Sequence, residues 1–229
     1  MINLIIIDID DTLCMTEEAC FYLENETLSL IGAKNFDRDI HIKTWGEPLF
    51  EAIKKRSPGV NVQEFRETFG VKLNDYIHKG KLDKIPNRNY VCLKNLKSRG
   101  FKIGIITSRT RLESLHLDSE SHELTKISDY FYSKDDTKYH KPDPRVFDEI
   151  LSESSFKPEQ CVYIGDSLSD CAAAKLAGLK FIACLESGLR SREDFEELDY
   201  KPDVYIARFS DLEKVQVDGL ELSLSLEKA

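Results

Sequence analysis

Short apolar runs alternate along this chain with longer stretches of helical periodicity. Residues 4–7, 102–106 and 161–164 are rich in Ile, Val and Leu and lack the polar alternation of a half-exposed strand. They read as strands buried on both faces of a parallel sheet. Two more strands are expected at 130–132 and 180–184, and a weaker one at 203–206. Helical patterns fill the intervals at 89–98, 111–126, 145–152 and 169–176. Gly100 and Gly178 stand where helix ends favour glycine, and Pro144 where a first helical turn tolerates proline. The alternation predicts an α/β fold, a Rossmann-like parallel sheet with helices on both faces.

Residues 14–85 break this rhythm. They carry helical patterns at 17–30, 48–56 and 62–78 and no convincing buried strand. Structureless connections of that length are uncommon in a compact domain. The segment is therefore expected to be a helical domain inserted after the first strand, dividing a core of residues 1–13 and 86–212. The tail, 213–229, alternates apolar and polar residues from Val215 and reads as either an edge strand or a partly disordered segment.

Composition narrows the function classes. With 41% hydrophobic and 32% charged residues among 229, the chain reads as a soluble protein with an ample core. A net charge of −9 argues against a nucleic-acid partner. It also means that an anionic substrate needs local positive charge, from a metal or from placed Lys and Arg. No run approaches the roughly 20 apolar residues of a membrane span, and the apolar start is too short for a signal-peptide core. The six cysteines form no CxxC pair and read as core residues in a reducing cytoplasm. The sequence sets no oligomeric state.

Four polar clusters follow expected strands or lie between them, where open parallel sheets gather function. The first is Asp8-Ile9-Asp10-Asp11-Thr12. Carboxylates two residues apart leaving a strand point the same way, so one can attack while the other moves protons; the plainer alternative is an Asp-rich turn. The second is Thr107-Ser108 with Arg109, a natural phosphate cradle at a helix start or an ordinary cap. The third is Lys141 in His140-Lys141-Pro142-Asp143-Pro144, held extended by the following proline and suited as a point charge to a phosphoryl oxygen, or else a solvated loop lysine. The fourth is Gly165-Asp166-Ser167-Leu168-Ser169-Asp170, whose carboxylates are hard oxygen ligands of the kind that suits Mg²⁺.

In this order the clusters resemble the motifs of the haloacid dehalogenase-like hydrolase superfamily: DxDx(T/V), a strand ending in Thr or Ser, a lysine, and a strand ending in GDxxxD. The resemblance covers the core and implies the following chemistry. Asp8 is the nucleophile and forms an aspartyl-phosphate. Asp10 is the general acid and base. Mg²⁺ is held by Asp8, the backbone carbonyl of Asp10, Asp166 and Asp170, while Thr107, Ser108 and Lys141 bind the transferring oxygens. Asp11, where relatives often have glycine, is expected to shape the turn.

Lys141-Pro142-Asp143-Pro144 and Ala177-Gly178-Leu179 look most like the capped, phosphoglycolate-phosphatase-like members. Within the insert, Thr44-Trp45-Gly46-Glu47-Pro48 resembles a cap loop facing substrate; Arg38 and Lys43 are further cap candidates. The resemblance thus implies a Mg²⁺-dependent phosphatase acting on a small phosphorylated metabolite. A sugar-phosphate mutase of the β-phosphoglucomutase kind shares all the core residues and is the alternative; a non-catalytic binding protein on the same fold ranks below it.

Overall fold

The structure, a computed structural model, describes residues 2–45, 47, 49–217 and 220–221. The chain divides into two compact units, Met1–Leu13 with Ile85–Ala229, and Cys14–Lys84.

In the first unit, six strands form the main sheet: β1 (Leu4–Ile7), β2 (Lys102–Ile106), β3 (Tyr130–Tyr132), β4 (Cys161–Gly165), β5 (Lys180–Cys184) and β6 (Val204–Ile206). They pair in the order β3-β2-β1-β4-β5-β6, all parallel. Ile6 of β1 lies level with Gly104 on one side and Tyr163 on the other. The strand order runs outward in both directions from β1 and β4. The crevice beyond their carboxyl ends is therefore the switch point where such sheets take ligands.

Burial on both faces explains why the central strands carry no alternation. Leu4, Ile6, Tyr163 and Phe181 share a core with Phe147, Ile150, Cys171, Ala173 and Ala174. The two alanines let the Leu168–Leu176 helix close onto β4 and β5. The Asn87–Ser98 helix packs on β2 and on a 3-10 helix, Phe209–Lys214. Each large aliphatic side chain buried in this way stabilises the fold by about 1.5–3 kcal/mol relative to exposure.

The helix expected over 111–126 is two short helices, Arg111–Ser114 and Glu123–Ile127. The polar run between them turns on its own side chains. Ser119 donates to the carbonyl of His116 at 3.0 Å, and His122 Nδ1 accepts from the amide of Leu124 at 3.2 Å, restarting the helix. The segment expected at 145–152 begins as a 3-10 turn, Pro144–Phe147, before the helix Asp148–Ser154. Val215 precedes a small antiparallel pair, Gln216–Val217 with Leu220–Glu221, separate from the main sheet. The rest of the tail from 222 onward lies outside the described residues.

The second unit is helical: Thr16–Leu30, Arg38–Lys43, Leu49–Arg56 and Val62–His78. Leu28, Phe36, Ile53 and Phe65 form one apolar cluster in it. A buried polar network lies within the same unit. His41 Nδ1 is 2.6 Å from Glu17 Oε1, and its Nε2 is 3.2 Å from Glu24 Oε1. Arg56 donates to Glu24 at 2.5 and 2.8 Å and to both the hydroxyl and the carbonyl of Thr44 at 2.8 and 3.0 Å. Arg38 pairs with Glu17 and Glu18, and the Trp45 ring packs 5.2 Å from that of His41. Gly46 and Pro48 of the expected cap loop lie outside the described residues. Among the described residues, no helix is long and apolar enough to cross a membrane.

Candidate active site

β1 delivers Asp8 to the switch point. Its amide donates to the carbonyl of Ile164 at 3.0 Å, which extends the ladder one residue past the strand and fixes where the carboxylate emerges. Asp11 then takes φ 58°, the left-handed region that Asp tolerates better than most residues, and the chain turns sharply away from the sheet.

β4 delivers the second half. Gly165 ends the strand, and a Cβ there would lie 2.6 Å from the Asp170 side chain, so only glycine allows Asp170 to fold back so closely. Ser167 caps the following helix, donating to Asp170 Oδ2 at 2.6 Å while its own oxygen accepts from the Asp170 amide at 3.1 Å. This capping box turns a helix-start residue inward, where Asp170 is fully buried.

Asp8, Asp166 and Asp170 meet there, with one carboxylate oxygen of each lying within 4.8 Å of the others. Lys141 enters between them, its Nζ 2.9 Å from Asp8 Oδ1 and 2.6 Å from Asp170 Oδ1. Tyr163, from within β4, bridges the same pair: its hydroxyl accepts from Lys141 and donates to Asp170, both at 3.0 Å. Thr12 donates to Asp166 Oδ1 at 3.4 Å.

Three buried carboxylates thus share one ammonium, and the electrostatics show the deficit. Burial pushes Asp8 up to about 7, with Lys141 pulling against it and Asp170 and Asp10 adding to it. Burial, reinforced by Asp170, Asp8 and Asp11, raises Asp166 well above the carboxylate range. Burial works against the Lys141 ammonium, but Asp170 and Asp8 outweigh it and hold it charged. Hard oxygen donors with surplus buried negative charge are the donor set a small divalent cation satisfies, so these residues fit Mg²⁺.

The loop after β2 supplies the other wall. The Thr107 amide donates to the carbonyl of Tyr132, and its hydroxyl accepts from the Arg109 amide at 3.2 Å. Thr107, Ser108 and Lys141 line one cavity of about 140 Å³. The Arg109 side chain reaches Asp10 and binds it from two nitrogens.

Of the residues expected from sequence, Asp8, Asp166, Asp170 and Lys141 converge, and Thr107 and Ser108 line a cavity with Lys141. The Asp10 side chain instead faces Arg109. One participant was not expected: Tyr163 is a hydroxyl in an otherwise apolar strand, which is the one signal that could have marked it. Thr12 and Arg109 stood in the first and second clusters without assigned partners, and nothing in the spacing of Arg109 indicated Asp10.

A sheet of this order, with acids and a lysine gathered at its switch point, defines the chain as an α/β enzyme. Residues 5–184 match the model of the haloacid dehalogenase-like hydrolases, and the chain belongs to that family. It is 29% identical to pyrophosphatase PpaX of Anoxybacillus flavithermus, over 92% of this chain and 95% of that protein. Among solved structures, a provisionally named β-phosphoglucomutase from Thermotoga maritima superposes with a TM-score of 0.76 at 22% identity, covering 92% of this chain and 96% of that one. CbbY from Rhodobacter sphaeroides, in complex with phosphate, gives 0.66 at 22% identity, covering 96% and 99%. Both structures share its fold.

Proposed function

We propose that this chain is a Mg²⁺-dependent phosphatase that hydrolyses a small phosphorylated metabolite through an aspartyl-phosphate on Asp8. The observation that carries this reading is the buried cluster of Asp8, Asp166 and Asp170 penetrated by Lys141, beside a cavity walled by Thr107 and Ser108. Family membership and the name of the pyrophosphatase relative support phosphoryl chemistry. In this reading residues 1–13 and 86–212 form the catalytic core and 14–85 its cap. The free cysteines, mostly buried, suit a reducing cytoplasm.

The residues divide the work as follows. An Asp8 carboxylate oxygen attacks phosphorus as the bond to the leaving oxygen breaks, and Asp10 protonates that oxygen. Asp10 then takes a proton from water, which attacks the phosphorus of the aspartyl-phosphate; the bond to Asp8 breaks and inorganic phosphate leaves. Thr107, Ser108 and Lys141 hold the non-bridging oxygens, where most of the stabilisation in phosphoryl transfer arises. Asp8, the Asp10 carbonyl, Asp166 and Asp170 would hold Mg²⁺. When bound, Mg²⁺ supplies the positive charge that lets an anionic phosphate approach an anionic nucleophile.

Hydrolysis of p-nitrophenyl phosphate with Mg²⁺ tests the reading, alongside acid-quenched mass spectrometry for a phosphoryl adduct on Asp8. Asp8→Asn should abolish both signals without lowering the thermal midpoint, and chelation should stop turnover. Activity that survives either change rules the mechanism out. Interconversion of sugar phosphates without net phosphate release would identify a mutase instead.

A further inference from the structure

Tyr163 puts a hydroxyl in the middle of β4, a strand whose every residue is buried. A buried hydroxyl is costly unless it finds hydrogen-bond partners. Tyr163 lies level with Ile6 of β1 and Phe181 of β5. Its ring meets that of Phe147 edge-on at 5.0 Å and that of Phe181 tilted at 6.1 Å. Phe147 ends the 3-10 turn that follows the Lys141 loop, so loop and strand are locked together at this ring. With the ring fixed, the hydroxyl emerges at one point beside the Lys141 ammonium.

That hydroxyl has a single proton, which goes to Asp170 Oδ1 at 3.0 Å. Towards Lys141, also at 3.0 Å, it can therefore only accept. Asp170 is anchored in turn, because the hydroxyl and the amide of Ser167 donate to its Oδ2 at 2.6 and 3.1 Å. Three oxygens thus surround an ammonium that has three N–H groups: Asp8 Oδ1 at 2.9 Å, Asp170 Oδ1 at 2.6 Å and the Tyr163 hydroxyl at 3.0 Å. Two of them come from β4 and the helix after it, and they keep their charge through turnover. Asp8 does not, since a carboxylate that has attacked phosphorus is an acyl phosphate. A flexible four-carbon stem on an irregular loop needs support from rigid elements to hold its tip in one place.

We propose that Tyr163 is a positioning residue for Lys141. Its hydroxyl, oriented by Asp170, fixes the ammonium where it meets the phosphoryl oxygens and keeps it there while Asp8 passes from carboxylate to acyl phosphate and back. This rests on the phosphatase reading, in which Asp8 attacks and Lys141 holds the transferring oxygens. Tyr163 exchanges no proton in the reaction and acts through the lysine alone.

Tyr163→Phe tests this, because it removes the hydroxyl and keeps the ring that packs on Phe147 and Phe181. On p-nitrophenyl phosphate at saturating Mg²⁺, kcat should fall about ten-fold with KM nearly unchanged, as expected for a lysine misplaced in the transition state. By calorimetry, the Kd for orthovanadate, a mimic of that state, should rise by a similar factor while the Kd for inorganic phosphate stays put. A hydroxyl that only completes the core would lower the thermal midpoint and leave these ratios alone, and that result overturns the proposal. In a Lys141→Met background, adding Tyr163→Phe should leave vanadate affinity where Lys141→Met sets it; additive losses would show that Tyr163 does not act through Lys141. The hydroxyl also touches Asp170, so the Mg²⁺ concentration for half-maximal rate is measured in parallel. A rise in that concentration, with kcat recovered at high Mg²⁺, would assign Tyr163 to the metal and overturn the proposal as well. All these failures leave Asp8-dependent hydrolysis standing. Turnover that survives Asp8→Asn overturns the phosphatase reading itself, and the role of Tyr163 with it.

Discussion

Arg109 grips Asp10 side-on: its Nε lies 3.1 and 3.0 Å from the two carboxylate oxygens, and its Nη2 lies 2.5 Å from Oδ1. The guanidinium is nearly buried, at 9% exposure, while the Asp10 side chain is 30% exposed, so the bidentate pair sits at the edge of the solvent. The proposed acid–base residue is therefore held by the loop that also carries Thr107 and Ser108.

Arg109→Leu should thus impair proton transfer more than phosphate binding. Its kcat should fall about ten-fold or more on ethyl phosphate, whose leaving oxygen needs a proton, and much less on p-nitrophenyl phosphate, whose leaving group does not. Added guanidinium should restore part of the rate on ethyl phosphate. Equal losses on both substrates would assign Arg109 a purely structural role.

Metal binding should be visible without turnover. Asp8, Asp166 and Asp170 carry surplus buried negative charge, so saturating Mg²⁺ should raise the thermal midpoint of the wild type by several degrees, and chelation should reverse the shift. Asp166→Asn should blunt the response. A midpoint indifferent to Mg²⁺ in the wild type would remove the metal from the site.

Gly165→Ala tests the fold-back of Asp170. The added methyl would lie 2.6 Å from that side chain, so either the Ser167 cap opens or β4 shifts, at about 1–3 kcal/mol. Chemical denaturation should show the loss and kinetics a weakened Mg²⁺ dependence. Wild-type values in both would show that the contact relaxes freely.

In the helical unit, His41 is buried between Glu17 and Glu24, with Arg56 and Arg38 on the far sides of those acids. Burial opposes its charge, but hydrogen bonds to Glu17 and Glu24 outweigh burial and raise it above the ordinary 6.5. A histidine raised by folding contributes stability fully below 6.5 that is lost as pH climbs through the raised value. Urea denaturation should therefore show wild-type stability falling more steeply above about pH 7 than that of His41→Asn. Parallel pH profiles would mean that His41 does not titrate in that window.

Much of this protein was legible one element at a time. β1, β2 and β4 are covered on both faces, so each survives in the sequence as an uninterrupted apolar run. The chemistry follows these runs directly, which is why Asp8, Thr107 and Asp166 were recognisable as strand-end residues. The expected 111–126 helix failed for a local reason: Ser119 and His122 bond to nearby backbone and compete with the helix, which a count of apolar spacing does not register.

The sequence by itself determined the alternating fold, the helical insert and the residue types available for phosphoryl chemistry, because backbone periodicity and strand-end position are local properties. Only the tertiary structure decided who meets whom. Lys141 reaches an aspartate 133 residues earlier, and Arg109 one 99 residues earlier. Parallel pairing places β2 on one side of β1 and β4 on the other, which brings these distant segments together, and nothing in the intervening chain encodes those meetings locally. The same holds for charge: Asp8 is an ordinary carboxyl in sequence, and it departs from that only where burial and two further acids surround it.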